Sequence, residues 1–164
     1  MILKASEFGY PDGVNDFNEQ EDRLWRSLMR LNGALPRLLD ADLVRGAGLS
    51  LSEFAILLVL SEAGAAGRRM SDLARAGRLS PSRATRVVAE LEQRGLVEKS
   101  KSESDARGNV AVATPAGREA FRSAYPIQVK RAREILFDHL TPAEVSDLAE
   151  AMSLLLHRVG AAER

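Results

Sequence analysis

From Asp16 onward, leucines recur at positions 24, 28, 31, 35 and 38, spacings that put all five on one stripe of a helix. The stripe predicts a long amphipathic helix, kinked near Pro36, where a backbone donor is missing, and ended by Gly46 and Gly48. Such coiled-coil-like spacing needs an apolar partner, either within the chain or on a second copy. Ser52 reads as the N-cap of a core helix carrying Phe54, Ala55, Leu57, Leu58 and Leu60 and ending near Gly64. Ser71 reads as the cap of a short helix, Asp72 to Ala76, with Gly77 supplying a tight turn. Ser80-Pro81 opens the next helix, with serine as N-cap and proline at the first helical position, where its missing donor costs nothing. That helix runs to about Arg94 and is closed by Gly95. Its inward side is Ala84, Val87, Val88 and Leu91; its outward side near the N-terminus is Ser82, Arg83, Thr85 and Arg86.

The period then shortens. Leu96 to Ser100 and Asn109 to Ala113 are strand candidates, joined as a hairpin whose tip is Lys101 to Gly108. Thr114-Pro115 starts another long helix with Phe121, Val129, Ile135 and Leu136 among its apolar positions. Thr141-Pro142-Ala143-Glu144 is a capping box, followed by Val145, Leu148, Met152, Leu155 and Val159 on one stripe. The fold class is mainly α with a small β-hairpin.

Composition bounds the function classes. The chain has 164 residues, 28% charged and 45% hydrophobic, the balance of an ordinary soluble domain with short extensions. It has no cysteine, hence no disulfide framework and no thiolate metal site. No apolar run approaches the roughly 20 residues of a membrane span, and Met1-Ile2-Leu3-Lys4 does not begin a secretory signal, so a cytoplasmic protein is expected. The histidines, His139 and His157, have no second ligand at metal-binding spacing, and no phosphate loop, nucleophile elbow or Cys/His pair is visible. Neither an enzyme nor a cofactor is expected.

Net charge is zero, which argues against a nucleic-acid binder until the charges are placed. Residues 1–22 carry a net −5, residues 68–86 a net +5 from six arginines and Asp72, and residues 138–163 a net −4. Only the face turned to a phosphate backbone must be positive, so a basic middle between acidic ends is compatible with DNA binding. A solvated arginine-rich surface would show the same segregation.

A short helix, a tight turn and a second helix form a helix-turn-helix, whose second helix fits the major groove and reads base edges from its N-terminal turns. Arginine there can donate two hydrogen bonds to guanine O6 and N7, which suits Arg83 and Arg86. At the hairpin tip, Asp105 precedes Arg107 by two residues; the acid can orient a guanidinium that enters the narrow minor groove, with Lys99 and Lys101 as flanking phosphate contacts.

Five segments occur in one order: Gly48-Leu49-Ser50-Leu51, Met70-Ser71-Asp72-Leu73-Ala74, Ser80-Pro81-Ser82-Arg83-Ala84-Thr85-Arg86, Leu91-Glu92-Gln93-Arg94-Gly95-Leu96-Val97 and Thr114-Pro115-Ala116-Gly117. Over roughly residues 20–160 this resembles the MarR (multiple antibiotic resistance regulator) family of bacterial transcription factors. The resemblance implies a homodimeric winged helix-turn-helix protein with N- and C-terminal dimerisation helices. It divides the chain into a flexible arm (1–15), an N-terminal dimerisation helix (16–48), a DNA-binding lobe (49–114) and C-terminal dimerisation helices (115–164). Pro81 to Arg94 would be the recognition helix and Leu96 to Ala113 the wing. The implied DNA contacts are Ser80, Pro81, Ser82, Arg83, Thr85, Arg86, Lys99, Lys101, Asp105 and Arg107. The family's Asp-Arg-Arg in the wing is here Asp105-Ala106-Arg107, which removes the first arginine, and Ala113 replaces a usual leucine. The implied activity is that of a ligand-responsive repressor on a pseudo-palindromic double-stranded operator. A small aromatic or phenolic effector would sit between the dimer helices and the lobe. Trp25 is either partly buried at the dimer interface or lines that pocket, where Arg26 would pair a ligand carboxylate. The competing reading is a winged-helix module that binds protein rather than DNA; arginines at 83, 86 and 107 argue against it.

Overall fold

The computed structural model describes residues 17–102 and 105–162, with residues 100–102, 105–109 and 161–162 described by their backbone alone. The arm expected over residues 1–15 lies outside these residues, as do residues 103–104 of the expected hairpin tip.

Helix α1 runs from Glu19 to Ala47, continuing through Pro36. It starts three residues later than Asp16 because Asn18 caps it, accepting from the backbone of Gln20 and Glu21 while Glu21 reaches back to the Asn18 N–H. Gly48 ends it in the left-handed conformation. Helix α2 spans Leu51–Ala63. Its N-cap is Ser50 rather than Ser52: Ser50 accepts from the Glu53 N–H and Glu53 accepts from the Ser50 N–H, a reciprocal box that leaves the Ser52 hydroxyl free for another partner.

A two-residue strand, β1 (Arg68–Arg69), precedes α3 (Met70–Ala76), which starts ahead of Ser71 with Arg69 in the cap position and no side-chain cap. Helix α4 is Pro81–Gln93, and Ser80 caps it by accepting from the Arg83 N–H. Strands β2 (Val97–Ser102) and β3 (Asp105–Ala113) follow. The hairpin is longer than the sequence suggests, because backbone pairing continues past Lys101↔Asn109 to Ser102↔Asp105 through a register shift. Lys101, Asp105 and Arg107 therefore stand on strands, not in a tip from Lys101 to Gly108.

The sheet order is β1-β3-β2, antiparallel throughout, with Arg68↔Ala111 and Arg69↔Val110 pairing β1 to β3. Gly67 permits that pairing. At its φ of 62° a side chain is strained, and a Cβ would collide with the Ala111 carbonyl. Helix α5 (Pro115–Ile135) is capped by Thr114, and α6 (Pro142–Ala162) follows the box in which Thr141 and Glu144 bond each other reciprocally. The two hydrogen bonds from Thr141 hold the Glu144 carboxyl below its ordinary range.

One core joins the end of α1 (Leu43) to α2 (Phe54, Ile56, Leu57, Leu60), α3 (Leu73), α4 (Val88, Leu91), the sheet (Val97, Ala111) and α5 (Ala124). Phe54 also meets the Phe121 ring, 5.4 Å between centroids, which fastens α5 to the lobe. Helix α6 supplies none of the buried core, though its end (Leu156, Val159) lies beside α3 and the α3–α4 turn across a cavity of about 500 Å³. Among the described residues, no single helix is long and apolar enough to cross a membrane.

Candidate nucleic-acid interface

The outward face of α4 is built by what its inward face buries. Ala84, Val87, Val88 and Leu91 are buried, so helical geometry turns Ser82, Arg83, Thr85 and Arg86 to solvent. All four sit in the first two turns, beside backbone N–H groups that favour a phosphate.

The turn ahead of α4 is made differently from the expectation that Gly77 supplies it. Gly77 has ordinary right-handed geometry, and the left-handed residue is Arg78, φ 53°. That conformation costs an L residue roughly 1–2 kcal/mol. Gly77 is needed for closeness instead, since a Cβ there would come within 2.9 Å of the Leu73 carbonyl oxygen. The turn closes through Gly77 N–H to Leu73 O (2.8 Å) and Leu79 N–H to Ala74 O (2.9 Å).

The two exposed arginines of α4 differ in their surroundings. Arg83 donates from Nε (3.2 Å) and Nη2 (2.9 Å) to the Ser52 hydroxyl on α2. Arg86 has no hydrogen bond or ion pair among the described residues. Thr85 Oγ1 donates back to the Pro81 carbonyl (2.9 Å), which leaves its oxygen available as an acceptor. The Ser80 and Ser82 hydroxyls lie 3.3 Å apart.

At its other end α4 is clamped. Arg94 Nη1 pairs with Glu53 (2.7 Å) while Nη2 donates to the Gly48 carbonyl (3.1 Å), and Glu53 is buried with Ser50 on its second oxygen (2.7 and 2.9 Å). Removing Arg94 would strand a buried carboxylate, so this link holds α4 against the α1–α2 joint. Lys99, expected as a phosphate contact, is half-buried and paired with Glu92 of α4 at 2.8 Å, which ties β2 to the helix. Lys101, Asp105 and Arg107 are placed by their backbone on β2 and β3.

The described residues hold further exposed cations that the motif did not single out. Arg68 and Arg69 project from β1 at the edge of the same sheet. Arg37 and Arg78 join Arg83 around a cleft of about 480 Å³ between α1 and the α3–α4 turn. The run of six arginines signalled this surface in the sequence, but nothing in its spacing showed that β1 would join the hairpin.

Trp25 and Arg26 lie elsewhere, in the second turn of α1. Trp25 is half-exposed and packs on Phe17 at 6.2 Å between centroids; Arg26 is bound to Asp22 one turn back (2.8 Å). The His139 ring bonds the Glu134 carbonyl at 2.9 Å.

Comparison with known proteins agrees with this architecture. A family model described as the MarR family matches residues 47–108, from the end of α1 through most of the hairpin. The chain superposes on Sco3205, a MarR family transcriptional regulator from Streptomyces coelicolor solved in complex with DNA, with a TM-score of 0.81 and 32% identity over 89% of this chain and 91% of that one. It superposes on CouR from Rhodococcus jostii RHA1, solved bound to p-coumaroyl-CoA, with a TM-score of 0.69 and 27% identity over 82% and 92% of the two chains. It is 30% identical over 110 residues to the uncharacterized HTH-type transcriptional regulator YfiV of Bacillus subtilis (strain 168); that match spans 65% of this chain and 65% of the relative's length. Fold, motif order and these similarities place the chain in the MarR family of winged helix-turn-helix, DNA-binding transcriptional regulators.

Proposed function

We propose that the chain acts as a homodimer that binds a pseudo-palindromic operator and represses transcription until a small ligand releases it. The observation that carries the DNA reading is the division of α4: one face anchored in the core, the opposite face presenting Ser82, Arg83, Thr85 and Arg86 from its first turns. A helix fixed in this way can enter a major groove about 12 Å wide without unfolding anything. Ser80 and Pro81 set the approach of its N-terminus. Asp105 and Arg107 on β3 would address the minor groove, with Lys101 beside them. Lys99 is assigned to bracing β2 against α4 rather than to a phosphate.

Residues 16–48 and 115–164 serve as the dimerisation scaffold in this reading, residues 49–114 as the DNA-binding lobe and residues 1–15 as an arm. Support for the scaffold comes from apolar side chains left in solvent on α1 and α6, such as Leu24 at 67% and Leu154 at 58% exposure. Two recognition helices related by a two-fold axis need half-sites one helical turn apart, ~10 bp. The ligand step draws support from CouR, whose structure holds an aromatic acyl-CoA. For this chain we propose a small aromatic or phenolic acid, with Trp25 against its ring and Arg26 exchanging Asp22 for its carboxylate.

A salt titration tests the DNA reading. Affinity for duplex DNA should fall steeply and log-linearly as salt rises. Binding that is absent, or indifferent to salt, would favour the protein-interaction module instead. Arg107→Ala should weaken operator binding by roughly 1–3 kcal/mol if that side chain enters the minor groove.

A further inference from the structure

Ser52 belongs to α2, outside the recognition helix, and is half-buried. Its neighbours fix it from both sides. The Leu51 N–H donates to Asp40 of α1 (2.8 Å), and the Glu53 carboxylate is held by Ser50 and Arg94. The hydroxyl therefore projects from a fixed platform, and its oxygen accepts from two nitrogens of one guanidinium, Arg83 Nε and Nη2.

A guanidinium carries five N–H groups in a rigid plane. Ser52 engages the edge formed by Nε and one hydrogen of Nη2. The edge left over, formed by Nη1 and the second hydrogen of Nη2, still offers two parallel donors. Two parallel donors are what guanine O6 and N7 accept. Arg86, three residues on, has no comparable partner among the described residues and can adjust to a phosphate oxygen.

We propose that Ser52 is a positioning residue for base recognition: it holds Arg83 by one edge, so that the other edge meets one base pair in each half-site. The inference rests on α4 being the helix that reads the operator. It assigns part of the sequence preference to a residue of α2 that touches no DNA. Arg83 would supply specificity, whereas Arg86 would supply affinity that depends little on sequence.

The test is selection from a randomised double-stranded DNA library by the full-length chain, comparing wild type with Arg83→Ala, Ser52→Ala, Ser52→Thr and Ser52→Val. Arg83→Ala should flatten the preference at one base pair per half-site. Ser52→Ala should flatten the same pair, lowering discrimination there about three- to tenfold while other positions keep theirs. Threonine keeps the hydroxyl and should keep the preference; valine has threonine's shape without the hydroxyl and should lose it, which separates the hydrogen bond from packing should the alanine variant fold poorly. A wild-type profile for both Ser52→Ala and Ser52→Val, beside a flattened Arg83→Ala, would overturn the role of Ser52 and leave the reading of α4 intact. Uniform weakening of all sequences by Ser52→Val would overturn it too, as a purely structural effect. An unchanged profile for Arg83→Ala would remove the base contact itself, and the inference with it.

Discussion

The lobe from α2 to β3 and the helices at the two ends of the chain are built from similar apolar residues, yet they resolve them in opposite ways. In the lobe, Leu57, Leu60, Leu73, Val88 and Leu91 are fully buried against one another within a single chain. On α1 and α6, Leu24, Leu31, Leu154, Leu155 and Val159 remain about half exposed or more. The lobe closes its core within one chain, with only the end of α1 and part of α5 added; the terminal helices carry stripes of the same quality that the described residues leave about half exposed. The difference separates two tasks. A core closed within one chain can hold a rigid reading helix, while an open apolar face suits a partner, in our proposal a second copy.

Substitutions in the two regions should therefore fail differently. Leu57→Ala, at the centre of the lobe, should cost about 2–5 kcal/mol whatever the protein concentration, as read by thermal or urea unfolding. Leu155→Ser on α6 should cost close to nothing in a lone chain but roughly 1.5–3 kcal/mol per copy where the stripe is covered, so its effect on melting should depend on concentration. If both variants shifted stability equally at every concentration, the distinction between the regions would be lost.

A smaller effect probes the scaffold itself, where α1 meets α5. Arg131 of α5 donates from Nε to Asp42 of α1, and this hydrogen bond holds the Asp42 carboxyl below its ordinary range, with Arg45 and Lys130 adding charge. A depressed pKa means that the contribution is complete above the unfolded value, near pH ~4, and is lost as pH falls through the folded value. Asp42→Asn should remove that segment of the acid-unfolding curve and leave the neutral-pH lobe core unchanged. A variant that unfolds in acid as wild type does would show that this contact contributes nothing to the joining of α1 and α5.

The lobe was the more legible part of the sequence. The inward and outward faces of α4 follow directly from Ala84, Val87, Val88 and Leu91 at helical spacing, and the Ser80-Pro81 and Thr114-Pro115 starts fall where their chemistry places them. Sequence and structure differ where two local signals compete. Ser50 and Ser52 both stand near the helix start, and Glu53, three residues after Ser50, decides for Ser50 through a reciprocal cap. Gly77 reads as the turn residue, yet the left-handed position falls on Arg78; the glycine is needed because close packing on Leu73 excludes a side chain at residue 77. Strand β1 has two residues and no alternation of its own; it exists because β3 offers an edge and Gly67 lets the chain approach it. The grip of Ser52 on Arg83 spans 31 positions of sequence, and no local pattern records such a contact.

Charge is divided as the apolar residues are. The basic run over 68–86 lies on β1, α3 and the start of α4, while the acidic run over 138–163 falls largely on α6. The lobe also carries acids, among them Glu53, Glu62, Asp72, Glu90, Glu92 and Glu98, but the first turn of α4 holds none beside Arg83, which favours DNA engagement by that end of the helix.

The most direct test is a hydroxyl-radical footprint of the full-length protein on a duplex selected from the randomised library. Two recognition helices on a shared scaffold should give two symmetric protected patches, ~10 bp apart, with cleavage between them retained. A single asymmetric patch, or no protection at a concentration where the chain is dimeric, would contradict the account.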